Sequence, residues 1–291
     1  MPRHSPPKAY KNPDFVNSGD ARAMRIMAEY LEPRKRLREA GVEDTIVFYG
    51  SARIPSRKDA LARLKNLREQ PVLNEPETAA AIKVAERALD MSVYYEASRD
   101  LAFRLTQWSC ELGGNGGGQH QRFSIVTGGG AGIMEAANRG AMEAGGETIG
   151  MNISLPDEQF PNEFISEELA FEFHYFFMRK FWLVYMAKAA VVMPGGFGTL
   201  DEFTEILTLV QTGKMRRKLP ILLFGSEYWK KVIALDAMAD FGVIDQSDLD
   251  LFFVTDCVDD AFDWLKAQLL EWAVDHPGGG LTTDVENVEG R

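Results

Sequence analysis

Short, continuous apolar runs alternate with longer stretches of helical periodicity over most of this chain. "TIVFYG" (45–50) is a β-rich apolar run closed by Gly50 and predicts a buried strand. From Phe123 onward the alternation becomes regular. "FSIVTGG" leads into "AGIMEAANRGAMEAG", and "ETIGMNIS" forms the next strand pattern. "FEFHYFF" reads as extended and leads into the helix "MRKFWLVYMAK", and "AAVVMPG" leads into "TLDEFTEILTLVQTGK". "LPILLFG" precedes "YWKKVIALDAMADF", and "LFFVTD" precedes "AFDWLKAQLLEWAV". Strands that are apolar throughout are buried on both faces. The pattern therefore predicts an α/β fold, a Rossmann-like doubly wound parallel sheet with helices on both faces and N-terminal helical additions.

The flanks differ from this body. Residues 1–17 are rich in proline and polar groups and predict no regular structure. From about Asp20 to Ala40, Met24, Met27, Ala28 and Leu31 recur at helical spacing. After the first strand come a helix and a proline-broken excursion, then a long helical stretch from Thr78 to Leu112. "GGNGGGQHQ" (113–121) follows a helix and precedes a strand, the wrong end of a βα unit for a phosphate loop, so it reads as a connection. The expected organisation is an N-terminal arm and helix over 1–44, one Rossmann-like domain over 45–276 and a disordered tail over 277–291.

Composition narrows the function. With 45% hydrophobic and 26% charged residues the chain reads as soluble and globular, and no apolar run approaches the ~20 residues of a membrane span. "MPRHSPPKAYKNPDF" has no signal-peptide core. A net charge of -11 argues against a nucleic-acid polymer as partner, though a few local cations suffice for one phosphate. Cys110 and Cys257 lack metal-type spacing, and His4, His120, His174 and His276 are scattered. No metal site is expected, and the cytoplasm is the expected compartment.

Ligands of open α/β sheets bind beyond the carboxyl ends of the strands. Two strand-to-helix turns there share the spelling G-G-x-G: Gly129-Gly130-Ala131-Gly132 and Gly195-Gly196-Phe197-Gly198. Bare glycine backbone with a helix N-terminus behind it suits a phosphate, and Thr199 adds a hydroxyl. The plainer reading is a tight turn that merely needs glycine. Neither turn satisfies G-x-G-x-x-G, and no P-loop lysine follows. Glu202 completes a capping box with Thr199, yet a first-turn carboxylate also lies beside whatever ester the loop holds. Asp201 reads as a favourable first-turn charge. Arg179 and Lys180 open a helix whose N-terminus lies at the same sheet edge, where cations need an anion to offset the dipole. Ser51, after the first strand, offers another hydroxyl at that edge.

"PGGFGTLDE" resembles the P-G-G-x-G-T-x-x-E signature of the LOG (Lonely Guy) family, and "GGGAGIMEAANRGA", Arg179-Lys180 and "FGTLDEFTEILTLVQTGK" are similar to it as well. The match covers roughly residues 45–256. Relative to short plant-type members the chain carries an insertion at about 54–92 and looks like the longer bacterial type. LOG proteins are cytokinin riboside 5'-monophosphate phosphoribohydrolases, often mislabelled as lysine decarboxylases. They hydrolyse the N-glycosidic bond of nucleoside 5'-monophosphates to free base and ribose 5-phosphate.

The resemblance implies Arg179 and Glu202 as the catalytic pair. It implies Lys180, Gly195, Gly196, Phe197, Gly198, Thr199, Leu200, Asp201 and Thr208 as nucleotide-binding, with Glu158 or Glu163 as a further acidic contact. Gly129, Gly130 and Ser51 join them from the turn reading. Glu202 would stabilise an oxocarbenium-like sugar and activate water, while Arg179 would stabilise charge on phosphate or base, or orient Glu202. The chemistry calls for neither metal nor organic cofactor. A homodimer or higher homo-oligomer is implied by the resemblance alone. A non-catalytic nucleotide sensor or carrier is the alternative, and a decarboxylase would need a Schiff-base lysine that nothing singles out.

Overall fold

The computed structural model describes residues 6–69, 75–113, 121–155, 160–215 and 217–278. The strands are β1 (Thr45–Tyr49), β2 (Ser124–Thr127), β3 (Thr148–Ile153), β4 (Ala170–Phe173), β5 (Ala187–Val192), β6 (Ile221–Phe224) and β7 (Phe252–Thr255). The helices are α1 (Pro13–Val16), α2 (Arg22–Glu39), α3 (Arg57–Glu69), α4 (Glu75–Leu112), α5 (Ile133–Glu143), α6 (Phe176–Tyr185), α7 (Phe197–Gln211), α8 (Ser226–Val232), α9 (Leu235–Asp240) and α10 (Val258–Trp272).

The strands form one sheet in the order β4-β3-β2-β1-β5-β6-β7, with every pairing parallel. This is the doubly wound α/β arrangement that the apolar runs predict. β1, β2, β3 and β4 step outward on one side and β5, β6 and β7 on the other, so the order reverses between β1 and β5. A crevice opens beyond the carboxyl ends of the strands at such a reversal.

Each central strand feeds two cores. Ile46 and Phe48 of β1 pack with Leu101, Leu105, Ile133 and Leu265 beneath α4, α5 and α10. Val47 and Tyr49 pack on the opposite face with Trp182 of α6 and Phe203 and Ile206 of α7. Strands buried on both sides have no polar face to show, which is why their sequences do not alternate. α4 lies close against α5 because Gly140 lacks a side chain: a Cβ there would sit 2.1 Å from the Arg99 carbonyl oxygen.

At the amino ends of the central strands lies a buried charge cluster. Asp44 pairs with Arg122, and its other oxygen is 3.3 Å from Lys188 Nζ. The cations also donate to late carbonyls: Lys188 to His276 and Gly278, and Arg122 to Ala273. The amide of Gly278 in turn donates to Asp44. Burial raises the Asp44 pKa and lowers that of Lys188.

Some expectations are corrected. Residues 1–17 are not structureless where described: a 3-10 turn spans Ala9–Lys11, and α1 follows with Asn12 capping it through the Asp14 amide. The stretch 228–241 is two helices, broken where Ile233 turns extended. "FEFHYFF" leaves the strand at Phe173 and is already helical from Phe176. Residues 70–74 of the proline-broken excursion, 114–120 of the glycine-rich connection and 279–291 of the expected tail lie outside the described residues. Among the described residues, no helix is long and apolar enough to cross a membrane.

Candidate functional site

A cleft of about 590 Å³ opens at the β1/β5 reversal. That volume is within the range of small-molecule sites. Its walls are the ends of β1 and β3, Gly128 after β2, the β5 turn with the start of α7, Phe176 and Arg179 of α6, and Tyr228 of α8. Backbone hydrogen bonds lace the turns together. The Ser51 amide donates to the Pro194 carbonyl at 3.0 Å, and the Ile133 amide donates to the Ser51 carbonyl at 3.0 Å. The Tyr228 hydroxyl donates to the Gly195 carbonyl at 2.7 Å.

The β5 turn presents open backbone. A Cβ at Gly196 or Gly198 would meet nothing within 4 Å. Gly195 differs, because a Cβ there would strike Thr199 Oγ1 at 2.1 Å, so the missing side chain lets the buried threonine tuck beneath the turn. Gly196 is the N-cap of α7 and no side chain caps that end. The first amides of this 15-residue helix therefore face the cleft mouth without a protein acceptor from a capping side chain, the arrangement that binds anions. Phe197 stands 93% exposed above them.

The capping-box reading of Thr199 and Glu202 is corrected: α7 starts at Phe197, so Thr199 already lies within the helix and Glu202 belongs to its second turn. Freed from capping, Glu202 accepts from Arg179 Nη2 at 2.8 Å. Both side chains are largely buried, at 11% and 14% exposure. Burial pushes the Glu202 carboxyl up to about 7, against the pull of Arg179, with Asp201 adding to the rise. α6 runs back from the carboxyl edge to the start of β5, which is how a residue in its first turn reaches α7. Arg179 also lies over the Phe176 ring, 5.3 Å from its centroid.

The sequence-derived candidates separate into groups. Ser51, Arg179, Gly195, Gly196, Phe197, Gly198, Thr199, Leu200 and Glu202 all line the cleft. Lys180, Asp201 and Thr208 do not. Lys180 ties α6 to α7 through Asp201 (2.8 Å) and Glu205 (3.0 Å). Burial works to lower the Lys180 pKa, but these carboxylates outweigh it and hold it above its ordinary value. Asp201 and Thr208 border a shallow depression on the outer side of α7, where the Thr208 hydroxyl donates to the Thr204 carbonyl.

Gly129 and Gly130 are packed rather than presented. Their carbonyls accept from Asn162 Nδ2, and only Gly128 of that turn reaches the cleft. Glu158 lies outside the described residues, and Glu163 is exposed. Sequence reasoning missed Tyr49, Asn152 and Tyr228 as cleft residues. Tyr49 and Asn152 had a signal, being polar groups at the ends of otherwise apolar strands; Tyr228 had none. Among the described residues, no group of three or more His, Cys, Asp or Glu is placed to hold a metal.

Comparison with known proteins bears on this geometry. A family model described as "Possible lysine decarboxylase" matches residues 134–265. The cytokinin riboside 5'-monophosphate phosphoribohydrolase LOG7 of Arabidopsis thaliana is 28% identical over 130 residues, which are 43% of this chain and 57% of that protein. LOG5 of the same plant is 27% identical over 162 residues, 55% of this chain and 64% of its own length. The chain thus spans somewhat over half the length of these relatives. Among solved structures, a molybdenum cofactor carrier protein from Chlamydomonas reinhardtii is 19% identical, covering 79% of this chain and 99% of its own at a TM-score of 0.42. The family-model match contains Arg179 and the Gly195–Glu202 stretch, and in sequence the chain is similar to phosphoribohydrolases of the LOG type.

Proposed function

We propose that this chain hydrolyses the N-glycosidic bond of nucleoside 5'-monophosphates, releasing free base and ribose 5-phosphate. The observation that carries the reading is the Arg179–Glu202 pair, held at 2.8 Å in the wall of a cleft whose other wall is the open helix N-terminus at Gly196–Gly198. The phosphate takes the exposed amides of that turn, and its binding energy positions the sugar over Glu202. Two anions side by side would repel, so the carboxylate serves the sugar. There it faces the positive charge that grows as the C1'–N bond breaks, and it takes a proton from the attacking water. The water oxygen bonds to C1', the base nitrogen leaves with the electron pair of the C1'–N bond, and the proton that Glu202 took from water is returned to the base, so the carboxylate is regenerated. Arg179 orients Glu202 and offsets charge on the departing base. Phe176 and Phe197 offer aromatic faces at the mouth.

The name of the matching family model suggests a decarboxylase, which would need a lysine amine in the cleft. No lysine lines the cleft among the described residues, and the buried Lys188 is committed to Asp44 at the opposite end of the sheet.

The decisive assay follows free base and ribose 5-phosphate from AMP, then from a panel of other nucleoside monophosphates. Glu202→Gln is expected to lower release by about a thousandfold and Arg179→Ala by a comparable factor. A wild type that binds AMP and releases nothing from any member is a sensor or carrier. The pH dependence has a definite sign. The working form is the carboxylate, whose pKa is pushed up to about 7, so kcat/KM rises with pH through about 7 and levels off above it. An inflection near the ordinary carboxylate value would sink the assignment of Glu202.

A further inference from the structure

A buried hydroxyl beneath the Arg179–Glu202 pair has no partner among the described residues. β1 sends Val47 and Tyr49 into the core under α6 and α7. Tyr49 is the last residue of the strand and the register partner of Val192, so its ring reaches the carboxyl end on the face where Arg179 meets Glu202. The residue is 2% exposed, lines the cleft, and its Oη makes no hydrogen bond among the described residues. Burial, then the charges of Glu202 and Glu205, push its phenol well above the ordinary value, with Arg179 opposing. The oxygen therefore keeps its proton and stands as a donor without an acceptor. Such a group is costly to leave unpaired in dry protein.

The charged groups around it narrow the choice of acceptor. Arg179 and Lys180, from α6, can only donate. On α7, Asp201 is paired with Lys180; Glu205 Oε2 lies 3.0 Å from the same lysine without a hydrogen bond and is the competing acceptor, but unlike Glu202 it does not line the cleft that Tyr49 lines. Glu202 gives only Oε1 to Arg179. We propose that Tyr49 is a positioning residue for Glu202, its hydroxyl donating to the carboxylate whenever Glu202 ionises. The bond favours the charged form and fixes the plane of the carboxylate against the sugar. The catalytic consequence rests on the glycosidase reading; the coupling of the two side chains does not.

Tyr49→Phe removes one oxygen and keeps the ring. Its kcat for base release is expected to fall about tenfold with KM within twofold. The inflection of the pH profile should move up by about one unit, a shift that lost packing alone would not produce. A carbon-13 NMR titration of the Glu202 carboxyl in the unligated protein should shift the same way. If Glu202 titrates identically in wild type and Tyr49→Phe, the proposal is overturned. The titration needs no turnover, so it decides the matter even if the wild type releases no base and the proposed reaction fails. Should the shift vanish in a Glu205→Gln background, the hydroxyl serves Glu205 and the proposal falls. 3-Fluorotyrosine at position 49, a stronger donor of nearly the same shape, is expected to lower the Glu202 midpoint; no change there would also overturn it.

Discussion

Two turns of this protein are spelled alike and built for different ends. The β2 turn, Gly129-Gly130-Ala131-Gly132, has glycine because the fold requires it. Gly129 and Gly132 hold φ of +73° and +69°, a region that other residues rarely adopt. A Cβ at Gly129 would lie 2.3 Å from Asn152 Oδ1, and one at Gly132 would lie 2.4 Å from the Ser51 carbonyl oxygen. The β5 turn has ordinary dihedrals, and two of its glycines border empty space. There glycine leaves backbone bare toward the cleft. One spelling thus serves packing at one strand end and access at the next but one, with only β1 between them. A glycine motif becomes evidence for a ligand only where a side chain would have had room.

The comparison can be broken by substitution. Gly132→Ala meets both a strained φ and immovable backbone, so a loss of about 3 kcal/mol or more is expected in denaturant unfolding. A near-normal midpoint would show that the turn is less committed than its contacts imply. Gly198→Ala should part stability from function. In a helix, alanine replacing an exposed glycine stabilises by about 0.5–1 kcal/mol, while its methyl crowds the anion site. Calorimetry with AMP is expected to show affinity falling about tenfold as Tm rises slightly, the tenfold being about 1.4 kcal/mol. If affinity is unchanged, the phosphate does not sit at this turn. The smallest effect belongs to Gly130→Ala. Its new methyl would meet only the flexible end of Met134, at 2.8 Å from Cε, so stability should change by less than about 1 kcal/mol. A large loss there would mean that Met134 has nowhere to go.

Much of the fold was legible because the sheet is buried on both faces. β1, β2, β5 and β6 are apolar runs with no competing period, and glycine or proline ends each of them. The strand order was not legible, since no local pattern states which strand lies beside β1. That Arg179, Glu202 and the Gly195–Leu200 stretch would gather at one cleft was legible, because each belongs to a short local motif at the carboxyl edge of the sheet. The role of Glu202 in its helix was misread: Thr199 and Glu202 have capping-box spacing, but Gly196 starts the helix three residues earlier. Tyr228 was opaque for a different reason: it lies on α8, and only tertiary packing brings it to the cleft.

The charge cluster under the sheet has a consequence for the order in which the chain can be completed as it leaves the ribosome. Asp44 stands at the head of the central strand, and the amide that donates to it belongs to Gly278, 234 residues later. Lys188 and Arg122, which gather round that carboxylate, hand their remaining protons to carbonyls of His276, Gly278 and Ala273. Until those residues have been made, two cations crowd one acid with bonds to spare in what will become dry protein. The first strand of the sheet is therefore sealed by nearly the last residues described, and a nascent chain halted short of Ala273 holds the strands but not the closure.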